Sequence, residues 1–189
     1  MTKLIIDAFD TETTGLLKAQ DAPLDQQPYI TELYAYKFSL DTETGEFKPL
    51  AQFDHLIKPP VPLSAKITDI TGITNEMLAD KPEFCEVFEE YAEFTTGTDM
   101  LVAHNLTFDK GMIGNEMKRI GKEFCFPWPR MNVCTVEHSM YIEQRRMTLT
   151  NLHKLATGNH IQNAHRASND VHALVRCFAW LYEQGAIKI

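Results

Sequence analysis

The sequence has few cysteines and no long apolar run, and both absences exclude classes of protein. No apolar segment approaches the roughly 18 residues that cross a bilayer, and Met1 to Leu17 shows neither a basic leader nor a long hydrophobic stretch. No C-x-x-C pair occurs among the four cysteines, which are Cys85, Cys125, Cys134 and Cys177. We expect a cytoplasmic protein with no membrane partner, whose cysteines are small core residues rather than disulfides or zinc ligands.

Positive charge is also scarce. Eighteen Lys and Arg residues against 26 Asp and Glu residues give a net charge of −8, which is unfavourable for gripping long duplex nucleic acid through its phosphates. The chain has 189 residues, of which 44% are hydrophobic, a size and composition typical of one globular domain. We therefore expect a single domain over residues 1–189.

Two carboxylates, Asp10 and Glu12, follow the first apolar run, Leu4–Phe9. Residues two apart in an extended strand project from the same face. Carboxylates that close repel each other unless a cation lies between them, and a hard divalent ion bound through oxygen is the typical solution. The pattern therefore predicts a metal site.

The same letters occur a second time, at Asp41–Thr44, in a different setting. This copy precedes Gly45 and lies between two strand-like runs, which is typical of a hairpin connection. We expect a solvated turn here.

Residue content and flanking turn residues predict an α/β fold with five strands. The expected strands are Lys3–Asp10, Tyr29–Leu40, Glu46–Lys58, Met100–Ala103 and Asn132–Cys134. The first three should form an antiparallel meander, and the later two should join the sheet through helical crossovers. The expected helices are Lys81–Thr95 with Pro82 in its first turn, Phe108–Ile120, Val136–Glu143, Thr148 or Thr150 to Gly158, and Ala167–Glu183.

Two irregular loops, Lys18–Pro28 and Phe124–Arg130, are longer than simple connections need. Each is interpreted as a surface excursion, with a rim that guides substrate or partner as the alternative. Trp128 is the aromatic residue that would serve such a rim.

Two further carboxylates lie at helix starts. Asp109 follows a short apolar strand, where α/β sheets usually assemble sites, and Asp170 opens the last helix. Each alone is typical of a helix cap or a first-turn charge.

Short motifs over nearly the whole chain share their order with one family. They are Phe9–Gly15, Ile30–Leu33, Ile57–Pro59, Ile70–Thr74, His104–Asp109 and His165–Leu174. The chain resembles the DEDDh, or DnaQ-like, 3′–5′ exonucleases, which include the epsilon proofreading subunit of bacterial replicative polymerases, ribonuclease T and oligoribonuclease. The resemblance implies a ribonuclease-H-like fold and removal of nucleoside 5′-monophosphates from the 3′ end of single-stranded nucleic acid, DNA favoured over RNA.

The resemblance also implies a cofactor, two Mg²⁺ ions for which Mn²⁺ substitutes, as in two-metal phosphodiester hydrolysis. In the family pattern Asp10 bridges both ions, Glu12 and Asp170 complete the ion on the nucleophile side, and Asp109 holds the second. Oxygen ligands without cysteine suit these metals.

A general base remains to be assigned, because His104 and His165 both stand five residues before an aspartate. Five helical residues turn by about 500° and leave the side chains about 140° apart, so the base must lie on a loop before its helix. His165 has polar neighbours and meets this demand, whereas His104 follows a buried strand and is interpreted as a backbone-bonding residue. The family's motif order agrees with His165 as the base.

Substrate contacts come from the resemblance alone. They are Thr13 and Gly15, whose backbone amides would reach the terminal nucleotide, Leu16, which would wedge against the last bases, and Asn105 and Phe108 near the second motif. Base stacking of this kind tolerates any sequence.

Two alternatives stay open. An exoribonuclease that trims RNA 3′ ends would share the catalytic residues, although Ile30–Leu33 and His165–Ala167 look closer to the proofreading branch. A non-catalytic module that docks on a polymerase is disfavoured, since all four carboxylates and the histidine are present. A polymerase partner and a role in proofreading or DNA repair stay open.

Overall fold

The computed structural model describes residues 3–161 and 165–189. Its strands are β1 (Lys3–Thr13), β2 (Ile30–Asp41), β3 (Phe47–Leu56), β4 (Met100–Ala103) and β5 (Met131–Cys134). They form one sheet in the order β3-β2-β1-β4-β5, in which β1 pairs antiparallel with β2 and β2 with β3, while β1 with β4 and β4 with β5 are parallel. The predicted mixed sheet is confirmed.

The described helices are α1 (Ala65–Thr71), α2 (Asn75–Leu78), α3 (Phe84–Thr95), α4 (Leu106–Arg119), α5 (Thr135–Glu143), α6 (Leu149–Thr157) and α7 (Ala167–Glu183). The sequence interpretation missed α1 and α2, which are too short to show helical periodicity, although Ser64 and Thr74 cap them. It also placed Pro82 inside α3, which was wrong. Glu83 and Glu86 form a capping box, so the helix begins at Phe84.

The two faces of the sheet carry separate apolar clusters. Phe9 belongs to the cluster that includes residues of α3 and α4, whereas Ile6 and Ala8 belong to the cluster that includes residues of α7. Because side chains alternate along a strand, Asp10 and Glu12 continue the α7 face of β1, and Thr11 continues the α4 face. This alternation decides from which helix each end of the site is completed.

The hairpin between β2 and β3 is the solvated turn predicted from its sequence. The Oδ1 atom of Asp41 accepts hydrogen bonds from the backbone amides of Glu43 and Thr44 at 2.9 and 3.0 Å. Gly45 supplies the left-handed residue with φ of 72°. The second Asp-Thr-Glu-Thr copy is therefore local turn chemistry and not a site.

The cysteine prediction was half wrong. Cys134 and Cys177 are buried as expected, but Cys85 and Cys125 are exposed, and all four are free thiols. Within residues 3–161 and 165–189 no helix is both long and apolar enough to cross a membrane.

The Lys18–Pro28 loop is tied to the end of α4. The Arg119 guanidinium lies 3.8 Å from the centre of the Tyr29 ring. Its Nη2 atom donates to three loop carbonyl oxygens, those of Leu24, Gln27 and Pro28. In the other irregular loop, the Trp128 ring packs on Phe126 and beneath Lys110.

A further buried aspartate, Asp7, lies on β1. Asp7 is fully buried, and neither of its carboxylate oxygens has a hydrogen-bond partner among the described residues. Desolvation raises the pKa of Asp7 to about 7, and the positive charge of Lys37, its cross-strand neighbour, opposes that shift. The Lys37 Nζ atom donates to the carbonyl oxygens of Phe94 and Thr96, and the Tyr91 phenol also feels the Asp7 charge.

Replacing Asp7 by Asn should stabilise the protein more as the pH rises. The pKa of Asp7 is about 7 in the folded state and 3.8 ordinarily. Between these two pH values the folded state binds more protons than the unfolded state, so the wild type loses stability as the pH rises from 3.8 to about 7. The Asn variant lacks that loss, and its gain in unfolding free energy should approach the order of 4 kcal/mol above pH 7. Urea unfolding across this pH range measures the gain, with Asp69→Asn, at an exposed helix position, as the matched control. Parallel pH curves for Asp7→Asn and wild type would contradict the prediction.

Candidate active site

Three of the predicted carboxylates meet where β1 ends. Asp10 and Glu12 on β1 and Asp170 on α7 each offer an oxygen atom, and these atoms lie within 4.8 Å of one another. The two β1 residues share the face that α7 covers, and Asp170 lies in the first turn of that helix, where the dipole favours a negative charge. Residues 160 positions apart are thus brought together by one helix packing on one strand.

Asp109 approaches from the opposite face of the sheet and is not one of the three. It is 2% exposed on α4, and its Oδ1 atom accepts hydrogen bonds from the Thr11 hydroxyl at 2.7 Å and the Thr11 amide at 3.1 Å. Its charge still acts on the group, since it raises the pKa of Asp10 and of Glu12. Thr11, whose side chain alternates to the α4 face, therefore fixes Asp109 beside the cluster.

The environment of the site disfavours the ionised form of its carboxyl groups. Desolvation, followed by the charges of neighbouring carboxylates, raises the pKa of Glu12 to about 8 and that of Asp10 well above its usual range. Desolvation raises the pKa of Asp109 to about 7 and also raises that of Asp170. Such mutual repulsion is relieved when a cation binds between the groups.

The donor set fits a hard divalent cation. All the converging donors are carboxylate oxygens, which suit Mg²⁺ or Mn²⁺. The Oδ1 atom of Asp170 is buried without a hydrogen-bond partner in the described part of the chain. A buried acceptor without a partner is costly in a native protein, and a bound metal ion would satisfy it.

The two histidines differ as their sequence settings suggested. His165 is exposed in the segment that leads into α7, has a left-handed φ of 68°, and donates its backbone amide to the Oδ2 atom of Asp170 at 3.1 Å. His104 bonds the Met147 carbonyl oxygen through Nε2 and the Thr135 hydroxyl through Nδ1. Burial lowers the pKa of His104 to about 4, so its imidazole is neutral at pH 7, and both ring nitrogens are already hydrogen-bonded.

The predicted substrate residues lie in two segments. Thr13 is buried and its hydroxyl donates to the Gly15 carbonyl oxygen at 2.7 Å, while Leu16 is 79% exposed. Asn105 is exposed at the N-cap position of α4, with a left-handed φ of 77° and no capping hydrogen bond from its side chain, and Phe108 packs partly against the core. Apart from its two chain neighbours, a Cβ atom added to Gly15 would meet no atom of the described residues within 4 Å.

The sequence interpretation did not assign Glu32 or Arg166, although both border the site. Glu32 is 1% exposed, pairs with Glu12 across the β1–β2 register, and adds to the charge that raises the pKa of Asp10, Glu12 and Asp170. The available signal was a glutamate in an apolar strand, because a buried charge requires a partner. Nothing local in the sequence identified that partner.

Comparisons with known proteins place these features in one group. The sequence profile of the exonuclease family matches residues 8–178. A DNA polymerase III subunit epsilon of Treponema pallidum is 32% identical over 175 residues, which are 90% of this chain and 73% of that protein. A PolC-type DNA polymerase III of Bacillus cereus is 41% identical over 115 residues, which are 61% of this chain but 7% of that protein. The chain thus corresponds to a small part of the PolC-type polymerase.

The fold has the same likeness. The nuclease domain of 3′hExo, a DEDDh family member bound to rAMP, matches with a TM-score of 0.73 at 16% identity, covering 96% of this chain and 93% of that one. The likeness confirms the ribonuclease-H-like fold expected from the sequence.

Proposed function

Because the chain belongs to the exonuclease family, we propose that it is a single exonuclease domain over residues 1–189 that hydrolyses single-stranded DNA from the 3′ end. The products are nucleoside 5′-monophosphates. The observation that carries the proposal is the convergence of Asp10, Glu12 and Asp170 within 4.8 Å, with Asp109 held beside them by Thr11.

The four carboxylates would bind two divalent cations between them. Asp10, Glu12 and Asp170 would hold one divalent cation, and Asp109, together with Asp10, would hold a second. When bound, such a pair of Mg²⁺ ions activates water and stabilises charge on the attacking and leaving oxygens. His165 is exposed, and its backbone amide bonds to Asp170; its imidazole would take the proton of the attacking water.

The backbone around Thr13 and Gly15 and the side chains of Leu16, Asn105 and Phe108 would receive the terminal nucleotides. Leu16 is 79% exposed, as a side chain that packs against bases must be. Contacts of this kind hold a single strand without reading its sequence, which suits a chain with a net charge of −8. The likeness to an epsilon subunit supports DNA as substrate, a polymerase as partner and a role in proofreading or repair.

Matched oligonucleotides test this function. A linear single strand labelled at its 3′ end should release labelled mononucleotide in Mg²⁺ or Mn²⁺, and EDTA should stop the reaction. A circular single strand should remain intact, because it has no terminus. Cleavage of the circle would contradict the proposal, and faster digestion of the RNA version would favour RNA trimming instead.

Replacing Gly15 by Ala should weaken substrate binding without destabilising the fold. Gly15 has no left-handed φ, and its added methyl would meet open space, so the melting temperature should stay unchanged. If a nucleotide approaches the Gly15 backbone closely, the added methyl group would obstruct it. KM for a single strand should then rise about tenfold, a loss of roughly 1.4 kcal/mol in binding. Steady-state kinetics and thermal unfolding measure the two effects. An unaltered KM would remove Gly15 from the substrate site.

A further inference from the structure

An ion pair joins the start of β2 to the start of α7. The Arg166 Nη2 atom donates to Oε1 of Glu32 at 2.7 Å, and the Nε atom lies 3.2 Å from both carboxylate oxygens. The backbone amide of Ala167 donates to Oε2 at 2.9 Å. Both oxygens of Glu32 therefore receive hydrogen bonds from two consecutive residues that lead into α7.

These contacts distinguish Glu32 from the clustered carboxylates Asp10, Glu12 and Asp170. Glu32 lies opposite Glu12 in the β1–β2 register, so it is adjacent to the proposed metal ligands, and at 1% exposed it is more buried than Asp10, Glu12 and Asp170, which are half-buried. Asp170, by contrast, keeps a buried oxygen that has no hydrogen-bond partner among the described residues. A carboxylate whose oxygens are already satisfied by a guanidinium and an amide is suited to fixing the chain rather than to binding a cation.

His165 lies between two points that are held in place. On one side, its own amide bonds to Asp170 Oδ2 at 3.1 Å. On the other side, the next residue is Arg166, clamped to Glu32. The φ of His165 is 68°, a left-handed conformation that side-chain-bearing residues adopt at a cost and keep when their surroundings determine it.

We propose that the Glu32–Arg166 pair is a positioning device that sets His165 at the carboxylate cluster by fixing the segment that enters α7. The inference rests on the proposed function, in which His165 takes the proton of the attacking water. Arg166 and Glu32 act through His165 and touch neither substrate nor metal.

The device requires arginine, because only a planar guanidinium can offer Nε and Nη2 to one carboxylate together. A lysine would keep the positive charge near Glu32 and lose the fork geometry. Arg166→Lys therefore changes position while it preserves charge. Since a displacement of 1 Å can cost a catalytic group about 100-fold in rate, we expect kcat to fall by about 10- to 100-fold while KM changes little.

A double-mutant cycle with His165→Asn tests the inference. Asn tolerates the left-handed backbone that His165 adopts but cannot serve as the base. If Arg166 acts through His165, Arg166→Lys should lower kcat in the wild-type background and change it by less than about twofold in the His165→Asn background. Glu32→Gln, which keeps an acceptor for the Ala167 amide, should repeat this pattern. Thermal unfolding of each variant confirms that it is folded.

Arg119→Lys is the matched control. Arg119 is also a partly buried arginine with a carboxylate partner, Glu116 at 3.1 Å, but it anchors the Lys18–Pro28 loop. Its effect on kcat should be the same fold-change with and without His165→Asn.

The outcomes separate the inference from the function on which it rests. Equal losses from Arg166→Lys in both backgrounds, or a change confined to KM, would overturn the positioning role while leaving His165 as base. Near wild-type kcat in His165→Asn alone would overturn the role of His165 and with it the inference.

Discussion

Replacing Asp10 by Asn should abolish nuclease activity, by on the order of 10³-fold or more. Asp10 is the proposed ligand common to both cations, and metal stabilisation of transition-state charge is worth several kcal/mol, with each 1.36 kcal/mol a factor of ten in rate. The variant should also be more stable than wild type without metal, because the substitution removes one of several mutually repelling carboxylates. Nuclease assays and thermal unfolding in EDTA measure the two effects.

The chain provides its own control for Asp10. Asp41 begins the second Asp-Thr-Glu-Thr sequence, in the hairpin, where its side chain accepts hydrogen bonds from the nearby backbone amides of Glu43 and Thr44. Asp41→Asn should leave the rate unchanged. An Asp10→Asn variant that retains a tenth or more of wild-type activity would show that this carboxylate is not essential to the site.

Replacing His165 by Ala should reduce the rate by about 10²–10⁴-fold, the usual contribution of a general base. Metal binding should be spared, because His165 reaches Asp170 through its backbone amide, which alanine retains. Single-turnover rates and Mn²⁺ titration of the same preparation separate the two properties.

Two companion variants make this result interpretable. Alanine is strained in the left-handed conformation of His165, so His165→Asn, which tolerates that backbone, should lose the same activity without the strain. His160→Ala, at an exposed histidine five residues earlier, should keep the wild-type rate. If His165→Ala turns over near the wild-type rate, the base is another group.

The sequence predicted what local periodicity and alternation determine. Alternation along β1 put Asp10 and Glu12 on one face, and the turn chemistry around Asp41 distinguished the two similar motifs. The long helix α7 was predicted from its apolar spacing, because the apolar face that this spacing creates packs on the sheet. These features depend on neighbours within a few residues, so the sequence carries them directly.

Contacts between distant segments were not predictable in the same way. The bond between Glu32 and Arg166 joins residues 134 positions apart, and no local pattern specifies such a partner. The face from which Asp109 approaches depends on how α4 packs against the sheet, which becomes visible only through its bond to Thr11. A lone cysteine likewise has no periodic context, which is why Cys85 and Cys125 were wrongly expected in the core.

Crystals of the protein grown with Mn²⁺ provide the most direct test, through anomalous diffraction at the manganese edge. Acidic groups that gather to bind a cation should show a strong peak bonded to oxygens of Asp10, Glu12 and Asp170, and the peak should vanish in Asp10→Asn. A map without manganese among these three side chains, at Mn²⁺ concentrations that support nuclease activity, would contradict the account.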